Sequence, residues 1–229
     1  MHIKLLSESL ADLFHSQGEI RHYDKEMYLF HEGDEIEGLY LILTGKVKMS
    51  KLSNNGSELT LRYVEPGSVA GELALLNNHA HYVLSAKMIE SGEIAMVSKS
   101  TIIDAIEKNG LLALELIQIM NDRARRDQTR FRDLVLFGKK GALYSTLIRL
   151  SNSYGKTIGN DIFIKIKMTD QRLADFCGTS RESINRLMSQ LKKDNVLSAD
   201  KSFITIHDID YLKEAINCAD CPIDLCSIH

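Results

Sequence analysis

The chain has 229 residues, 44% of them hydrophobic and only 2 prolines, which suits two compact domains and excludes an extended low-complexity protein. The formal net charge of −3 excludes indiscriminate nucleic-acid binding, yet residues 139–217 carry 13 Lys/Arg against 9 Asp/Glu, an asymmetry expected of one DNA-facing domain. Neither a secretory signal nor an apolar run of about 18 residues is visible, so the cytoplasm is the expected location, with no membrane partner.

Residues 1–20 read as an amphipathic lead-in helix with Leu5, Leu6, Leu10, Leu13 and Phe14 on its apolar face. From about residue 25 the pattern changes to short apolar or alternating runs: MYLF, LYLILTG, KVKMSKL, ELTLRYV, YVLSAKM and EIAMVS. Asn54-Asn55-Gly56 and Pro66-Gly67 supply turns, and strands so spaced predict an antiparallel roll or barrel. A short helix near 100–108 and the Asn109-Gly110 break lead into a long helix over 111–137. Its residues Ile117, Met120, Ala124, Phe131 and Leu134 trace a seam at coiled-coil spacing, with a polar centre around Asp127. The seam is read as a homodimer interface; a solvated helix with one core-facing side is the plainer alternative. Gly138 and Gly141 are expected to form a hinge, followed by the helix ALYSTLIRLSNSY and a strand FIKIKM.

The run MTDQRLADFCGTSRESINRLM (168–188) then reads as two short helices meeting at a turn. Thr169 caps the first, Gly178 permits the left-handed backbone that ends it, and Thr179 with Glu182 forms a capping box for the second. Ile184, Leu187, Met188 and Leu191 bury one side of that second helix. Arg181, Glu182, Asn185 and Arg186 lie on or near its other side, close to the N-terminus, as in a helix that enters the major groove. An ordinary helical hairpin with a charged, solvated face is the competing interpretation. The hairpin LSADKSFITI (197–206) directly afterwards has the place of the wing in a winged helix.

All 4 cysteines lie in the C-terminal third, and Cys218, Cys221 and Cys226 form a CxxCx4C tail beyond the winged helix. In a reducing compartment such thiols are not expected to form structural disulfides. Three thiolates at this spacing suit a [4Fe–4S] cube bound through three irons, or a zinc ion completed by another residue; spacing alone divides these evenly. Three reduced thiols without metal are a further possibility. Cys177, beside Phe176, reads as a small buried core residue.

A roll, a long helix and a winged helix in this order resemble the Crp/Fnr superfamily of bacterial transcription regulators over the whole chain. The motifs that carry the resemblance are LYLILTG (39–45), Gly71-Glu72-Leu73 and SRESINRL (180–187). KKGALYSTLIRLSNSYG (139–155) and CADCPIDLC (218–226) look like the Bacillus type of Fnr. The implied fold is α+β: a cyclic-nucleotide-binding-like β-roll (1–110), a dimerisation helix (111–137), a winged helix-turn-helix (138–217) and a cluster-binding tail (218–229). By the same resemblance, Arg181, Glu182 and Arg186 read bases of a palindromic TGTGA-type operator, with half-sites about one helical turn apart. Ser180, Ser183, Lys192 and Lys193 are expected to position the phosphate backbone, and RNA polymerase is the implied protein partner.

The resemblance also shifts the tail from zinc towards a [4Fe–4S] cluster, and implies Asp133 as the fourth ligand. Without it, Asp133 is a routine helix carboxylate and Asp220, Asp224 and His229 compete for the role. An N-terminal cysteine set is excluded, because no cysteine precedes Cys177. Cyclic AMP is not expected in the roll: the stretch NNHAHYVLSAK (77–87), where relatives place an Arg beside a hydroxyl, has no Arg to meet a phosphate. His79 or His81 are the alternatives there, and Gly71 and Glu72 are expected to serve the roll's own turn. The implied function is an oxygen-sensing regulator, chiefly an activator of anaerobic respiration and fermentation genes. The alternatives are a regulator with a structural zinc tail and another effector, or an iron–sulfur redox enzyme or electron carrier.

Overall fold

The computed structural model describes residues 8–54, 56–72, 81–219 and 221–229. Leu5, Leu6, Asn55, Leu73, residues 77–80 and Asp220, all invoked above, lie outside the described residues. The chain divides into two compact units, residues 1–51, 61–123 and 229 in one, and 52–60 and 124–228 in the other.

The first unit begins with α1 (Glu8–Gln17), whose Leu10 and Phe14 enter the core. The lead-in helix ends at Gln17, short of the expected residue 20, because Gly18 stops it and β1 (Glu19–Tyr23) follows directly. The remaining strands are β2 (Tyr28–Phe30), β3 (Gly38–Ile42), β4 (Lys46–Leu52), β5 (Glu58–Val64), β6 (Val69–Ala70), β7 (Ser85–Glu90) and β8 (Gly92–Ser98). They form two antiparallel four-stranded sheets in the orders β1-β8-β3-β6 and β2-β7-β4-β5. Leu39, Ile42, Val47, Met88, Ile94 and Val97 fill the interior of this roll. Pro66-Gly67 makes the expected turn: Ser68 N–H donates to Glu65 O at 3.1 Å, and Gly67 takes φ 82°. α2 (Lys99–Lys108) is capped by Ser98, whose hydroxyl accepts from the Thr101 amide.

α3 (Gly110–Tyr154) is a single long helical run interrupted at Gly138, where φ 60° and ψ −152° lie in a region open essentially to glycine alone. The break separates a first limb, 110–137, from a second, 139–154. Only Gly138 departs from helical backbone; Gly141, expected to share the hinge, is helical. A Cβ at Gly141 would lie 2.3 Å from Phe137 Cβ and 2.6 Å from Asp133 O. That glycine therefore serves the close return of the second limb against the first. On the first limb the seam residues Ile117, Ala124, Phe131 and Leu134 are exposed, Phe131 to 67%.

The second unit continues with β9 (Gly155–Ile158), β10 (Asp161–Ile164), α4 (Asp170–Cys177), α5 (Arg181–Lys193), β11 (Leu197–Asp200), β12 (Phe203–Ile206) and α6 (Ile209–Glu214). Its sheet runs β11-β12-β10-β9, all antiparallel. β9 and α6 were not anticipated, and the strand expected over 163–168 instead ends at Ile164. Leu143, Leu147, Leu150, Leu173, Ile184, Leu191 and Ile206 close the core. No helix among the described residues is long and apolar enough to cross a membrane.

Candidate DNA-reading helix and cysteine tail

The two-helix motif forms as its sequence demands, with one shift. Thr169 Oγ1 accepts from the Arg172 amide at 3.2 Å, and Gly178 ends α4 in the left-handed region at φ 58°. The cap of α5 is Ser180 rather than Thr179: Ser180 Oγ accepts from the Ser183 amide at 3.3 Å. Gly178 takes the left-handed turn first, so one more residue is needed before helical backbone resumes. Ile184, Met188 and Leu191 are buried and Leu187 partly so, which leaves Arg181, Glu182, Asn185 and Arg186 exposed on the outer face. Asn185 Nδ2 donates to Asp170 Oδ2 at 2.9 Å and fixes one helix against the other. Hydrogen bonds from its own amide and from Ser180 hold the Glu182 carboxyl below the ordinary range, so it is a ready acceptor. Ser183 is partly buried and its hydroxyl is engaged by Ser180 at 3.1 Å.

Behind α5, β11 and β12 form the wing. Lys201 and Ser202 at its tip take φ 46° and 68°, the two positive values of a type I′ turn. The Met168 amide donates to Ser202 O at 2.7 Å, which ties the wing tip to the start of α4.

The tail folds onto α3 within the same unit. Arg126 Nε donates to Asp224 O at 2.8 Å, Arg149 Nη1 to Leu225 O at 2.8 Å and Asn152 Nδ2 to Cys226 O at 2.8 Å. The Ile228 amide donates to Ser153 Oγ at 3.0 Å, and Leu225 and Ile228 are buried. Arg149 is 2% exposed and uses every side-chain nitrogen: besides Leu225 O, Nε donates to Ser145 Oγ at 3.2 Å and Nη2 to Thr129 Oγ1 at 2.7 Å. It therefore bonds both limbs of α3 and the tail at once.

Asp133 is buried, at 2% exposure, rather than on the helix surface. Its Oδ1 accepts from Arg132 Nε at 2.9 Å and Nη2 at 2.6 Å; Oδ2 accepts from Ser145 Oγ at 2.6 Å. Arg149 Nη2 lies 4.0 Å from Oδ2. Cys218, Cys221 and Cys226 are free thiols of intermediate exposure. Burial pushes the Cys226 thiol up, Arg149 pulls it down, and Cys218 and Cys221 push it up further. Among the described residues no group of three His, Cys, Asp or Glu stands at metal-binding distance. Cys218, Cys221, Cys226 and Asp133, the residues the sequence offered for a metal centre, are therefore not gathered into a preformed one, although the three thiols are free. Cys177 is buried at 2%, its thiol pushed up to about 12 by desolvation, and it contacts Thr146 Oγ1 at 3.7 Å. It is a core residue, as its neighbours in sequence implied.

In the roll, Glu72 does more than serve a turn. It is 1% exposed; Arg62 Nη2 donates to its Oε1 at 3.0 Å, and Arg123 Nε lies 2.5 Å from the same oxygen. Arg123 Nη2 also donates to Val69 O at 2.6 Å, so the triad joins β5, β6 and the first limb of α3. The cavity beside it, lined by Phe30, Arg62, Glu72 and Tyr82, holds about 20 Å³, room for one water. Sequence reasoning missed the arginine set Arg126, Arg132 and Arg149. A signal for Arg149 existed: within ALYSTLIRLSNSY it falls on a helix that is buried throughout 141–150.

A two-sheet roll, a long helix and a winged helix with an exposed Arg-Glu-Arg face define a ligand-domain-plus-helix-turn-helix regulator. The cyclic nucleotide-binding domain family matches residues 20–109, and the Crp-like helix-turn-helix domain family matches residues 141–215. The anaerobic regulatory protein of Bacillus subtilis is 44% identical over 225 residues, 98% of this chain and 94% of that one. The global nitrogen regulator of Nostoc is 25% identical over 81% of this chain and 83% of its own. Among solved structures, a CooA mutant from Carboxydothermus hydrogenoformans superposes with TM-score 0.78 at 18% identity, covering 93% of this chain and 96% of that one. The c-di-GMP-responsive regulator CLP of Xanthomonas campestris gives 0.76 at 20% identity, covering 86% and 97%. This chain belongs to the Crp/Fnr family of DNA-binding transcription regulators. It is a regulator and not an enzyme, which removes the redox-enzyme and electron-carrier readings.

Proposed function

We propose that this protein is an oxygen-responsive transcription regulator of anaerobic respiration and fermentation genes, working in the cytoplasm as a homodimer with RNA polymerase as its partner. The observation that carries the reading is the cysteine tail, docked on α3 through Arg149, whose partner Ser145 also donates to buried Asp133, in the same unit as the recognition helix. Its 44% identical relative named as an anaerobic regulator supports the same direction. Cys218, Cys221, Cys226 and Asp133 are the residues that would hold a [4Fe–4S] cluster. Such a cluster would supply a redox centre that oxygen can oxidise. The chain's own residues do the rest: Arg126, Arg149 and Asn152 hold the tail backbone, and Arg149 ties it to both sides of the Gly138 break.

On the DNA side, Arg181 and Arg186 are proposed to donate to guanine O6/N7 and Glu182 to accept from cytosine N4 in a TGTGA-type half-site. Ser180, Ser183, Lys192 and Lys193 position the phosphate backbone. The exposed seam Ile117, Ala124, Phe131 and Leu134 pairs two copies, so that two recognition helices meet half-sites one helical turn apart. The domain boundaries proposed from sequence accompany this assignment: roll 1–110, dimerisation helix 111–137, winged helix 138–217 and tail 218–229.

A second reading is a structural tail, holding zinc or no metal: its backbone is docked by Arg126, Arg149 and Asn152 without help from a cluster. Anaerobic purification with iron and acid-labile sulfide analysis, then operator binding before and after air, decides between them. Brown protein that loses both colour and DNA affinity in air supports the oxygen switch. Colourless protein with one zinc and air-stable operator binding supports the structural tail.

A further inference from the structure

Asp170 is the first residue of α4, the helix that in such a motif crosses the phosphate backbone. It is an acid facing a polyanion, and among the described residues no lysine or arginine pairs with it. Its side-chain partner there is Asn185, whose Nδ2 donates to Oδ2 at 2.9 Å. Asn185 is exposed on α5, one turn after Arg181 and directly before Arg186, inside the face proposed to read bases. Holding the two helices together does not require this bond. Both bury apolar sides, Leu173 and Ala174 on one, Ile184 and Met188 on the other, and an exposed hydrogen bond adds little to that. A carboxylate only accepts, so the amide nitrogen of Asn185, never its carbonyl, faces Asp170. Oδ1 and the second N–H of that amide have no protein partner among the described residues. One carbonyl and one N–H side by side match the N6 donor and N7 acceptor of adenine in the major groove.

We propose that Asp170 is a specificity-determining residue: it sets the amide of Asn185 to read an adenine, while its charge weakens binding to DNA of any sequence. The inference rests on α5 being the base-reading helix. Without Asp170 the Asn185 side chain rotates freely, and its amide turns end for end. Carbonyl and nitrogen then exchange places, and the match to adenine is held only part of the time. The same carboxylate repels the phosphates that the first turn of α4 approaches. Asp170 thus acts through Asn185 on sequence choice, as a positioning residue, and by its own charge on affinity.

The test uses full-length protein and two duplexes, one with palindromic TGTGA half-sites and one of random sequence. Each A·T pair of the half-site is replaced in turn by G·C. Binding is followed by fluorescence anisotropy for wild type, Asp170→Ala, Asp170→Asn, Asn185→Ala and the double alanine variant. Asn185→Ala should erase a wild-type penalty on the order of tenfold at one A·T pair and leave the others. Asp170→Ala should shrink that same penalty, and the double variant should match Asn185→Ala there. Asp170→Asn keeps an acceptor for Nδ2 and should keep the penalty. Both Asp170 variants should bind the random duplex about threefold more tightly, whereas Asn185→Ala should not. Should Asp170→Ala fail to fold, Asp170→Asn still tests the charge and the exposed Asn185→Ala still tests the reading. Penalties retained at every A·T pair in Asn185→Ala or in Asp170→Ala overturn the positioning. Random-duplex affinity unchanged or lowered in Asp170→Asn overturns the charge role. Wild type that prefers the TGTGA duplex no more than the random one, or an Arg186→Ala variant that keeps the full preference, overturns the base-reading assignment of α5 itself, and this inference with it.

Discussion

Arg149 concentrates more structural consequence in one side chain than its sequence context announces. Truncating it to Met would leave Leu225 O, Thr129 Oγ1 and Ser145 Oγ without their donor in a buried site. A loss of roughly 2–4 kcal/mol follows, read as a lower urea midpoint. Faster alkylation of Cys226 in the metal-free variant should accompany it. Cys177 behaves oppositely. Its thiol is raised by burial from an ordinary 9.0 to about 12, so it stays protonated and should resist iodoacetamide at pH 8 while exposed thiols react. The sign of the linkage follows: below pH 9 folded and unfolded thiols are both neutral, and above it the unfolded thiol ionises first. Stability therefore falls as pH rises from 9 towards 12, and Cys177→Ala should flatten that slope in a denaturation series. At the recognition helix, Arg186→Ala should cost roughly 1–3 kcal/mol against a TGTGA-type operator and much less against random DNA in a gel-shift titration. The recognition face was legible because apolar spacing and a glycine turn fix which side faces out. The arginines that hold the tail were not, because their partners are backbone carbonyls some 75–100 residues distant in sequence.

At the scale of elements, the break in α3 rests on one backbone conformation. Gly138→Ala must either strain at φ 60°, ψ −152° or straighten the run, a penalty on the order of 1–3 kcal/mol visible in chemical denaturation. Strand runs with an inward apolar face, such as KVKMSKL and ELTLRYV, were readable to the residue. β1 was not: EIRHY is exposed along four of its five positions and exists through pairing with β8 at a sheet edge. Its charges are what such an edge tolerates, and period alone cannot reveal it. β9 and α6 are likewise short elements set by neighbours. Gly141 looked like a second hinge for a related reason: a glycine needed for close packing and one needed for its backbone angle are the same letter.

For the whole molecule, pairing through the first limb is directly testable. Phe131, 67% exposed in the C-terminal half of the seam, should convert the dimer to a monomer when changed to Asp, as measured by sedimentation, with operator affinity falling in step. The winged-helix region's basic surplus predicts that operator affinity declines steeply with salt, and that Lys192→Ala and Lys193→Ala each lower the slope without altering sequence preference.

The shared bonding of Arg149 has one more implication. In many switches a signal must travel, through a chain of packed residues, from where chemistry happens to where shape changes. Here the guanidinium that steadies the tail next to Cys226 is the one that bridges Thr129 and Ser145 on opposite sides of the helix break. On the proposed function, sensor mount and joint would be built from common atoms, like a bowstring knotted at both tips of its bow, and slackening the string would unbend the bow without a relay between them.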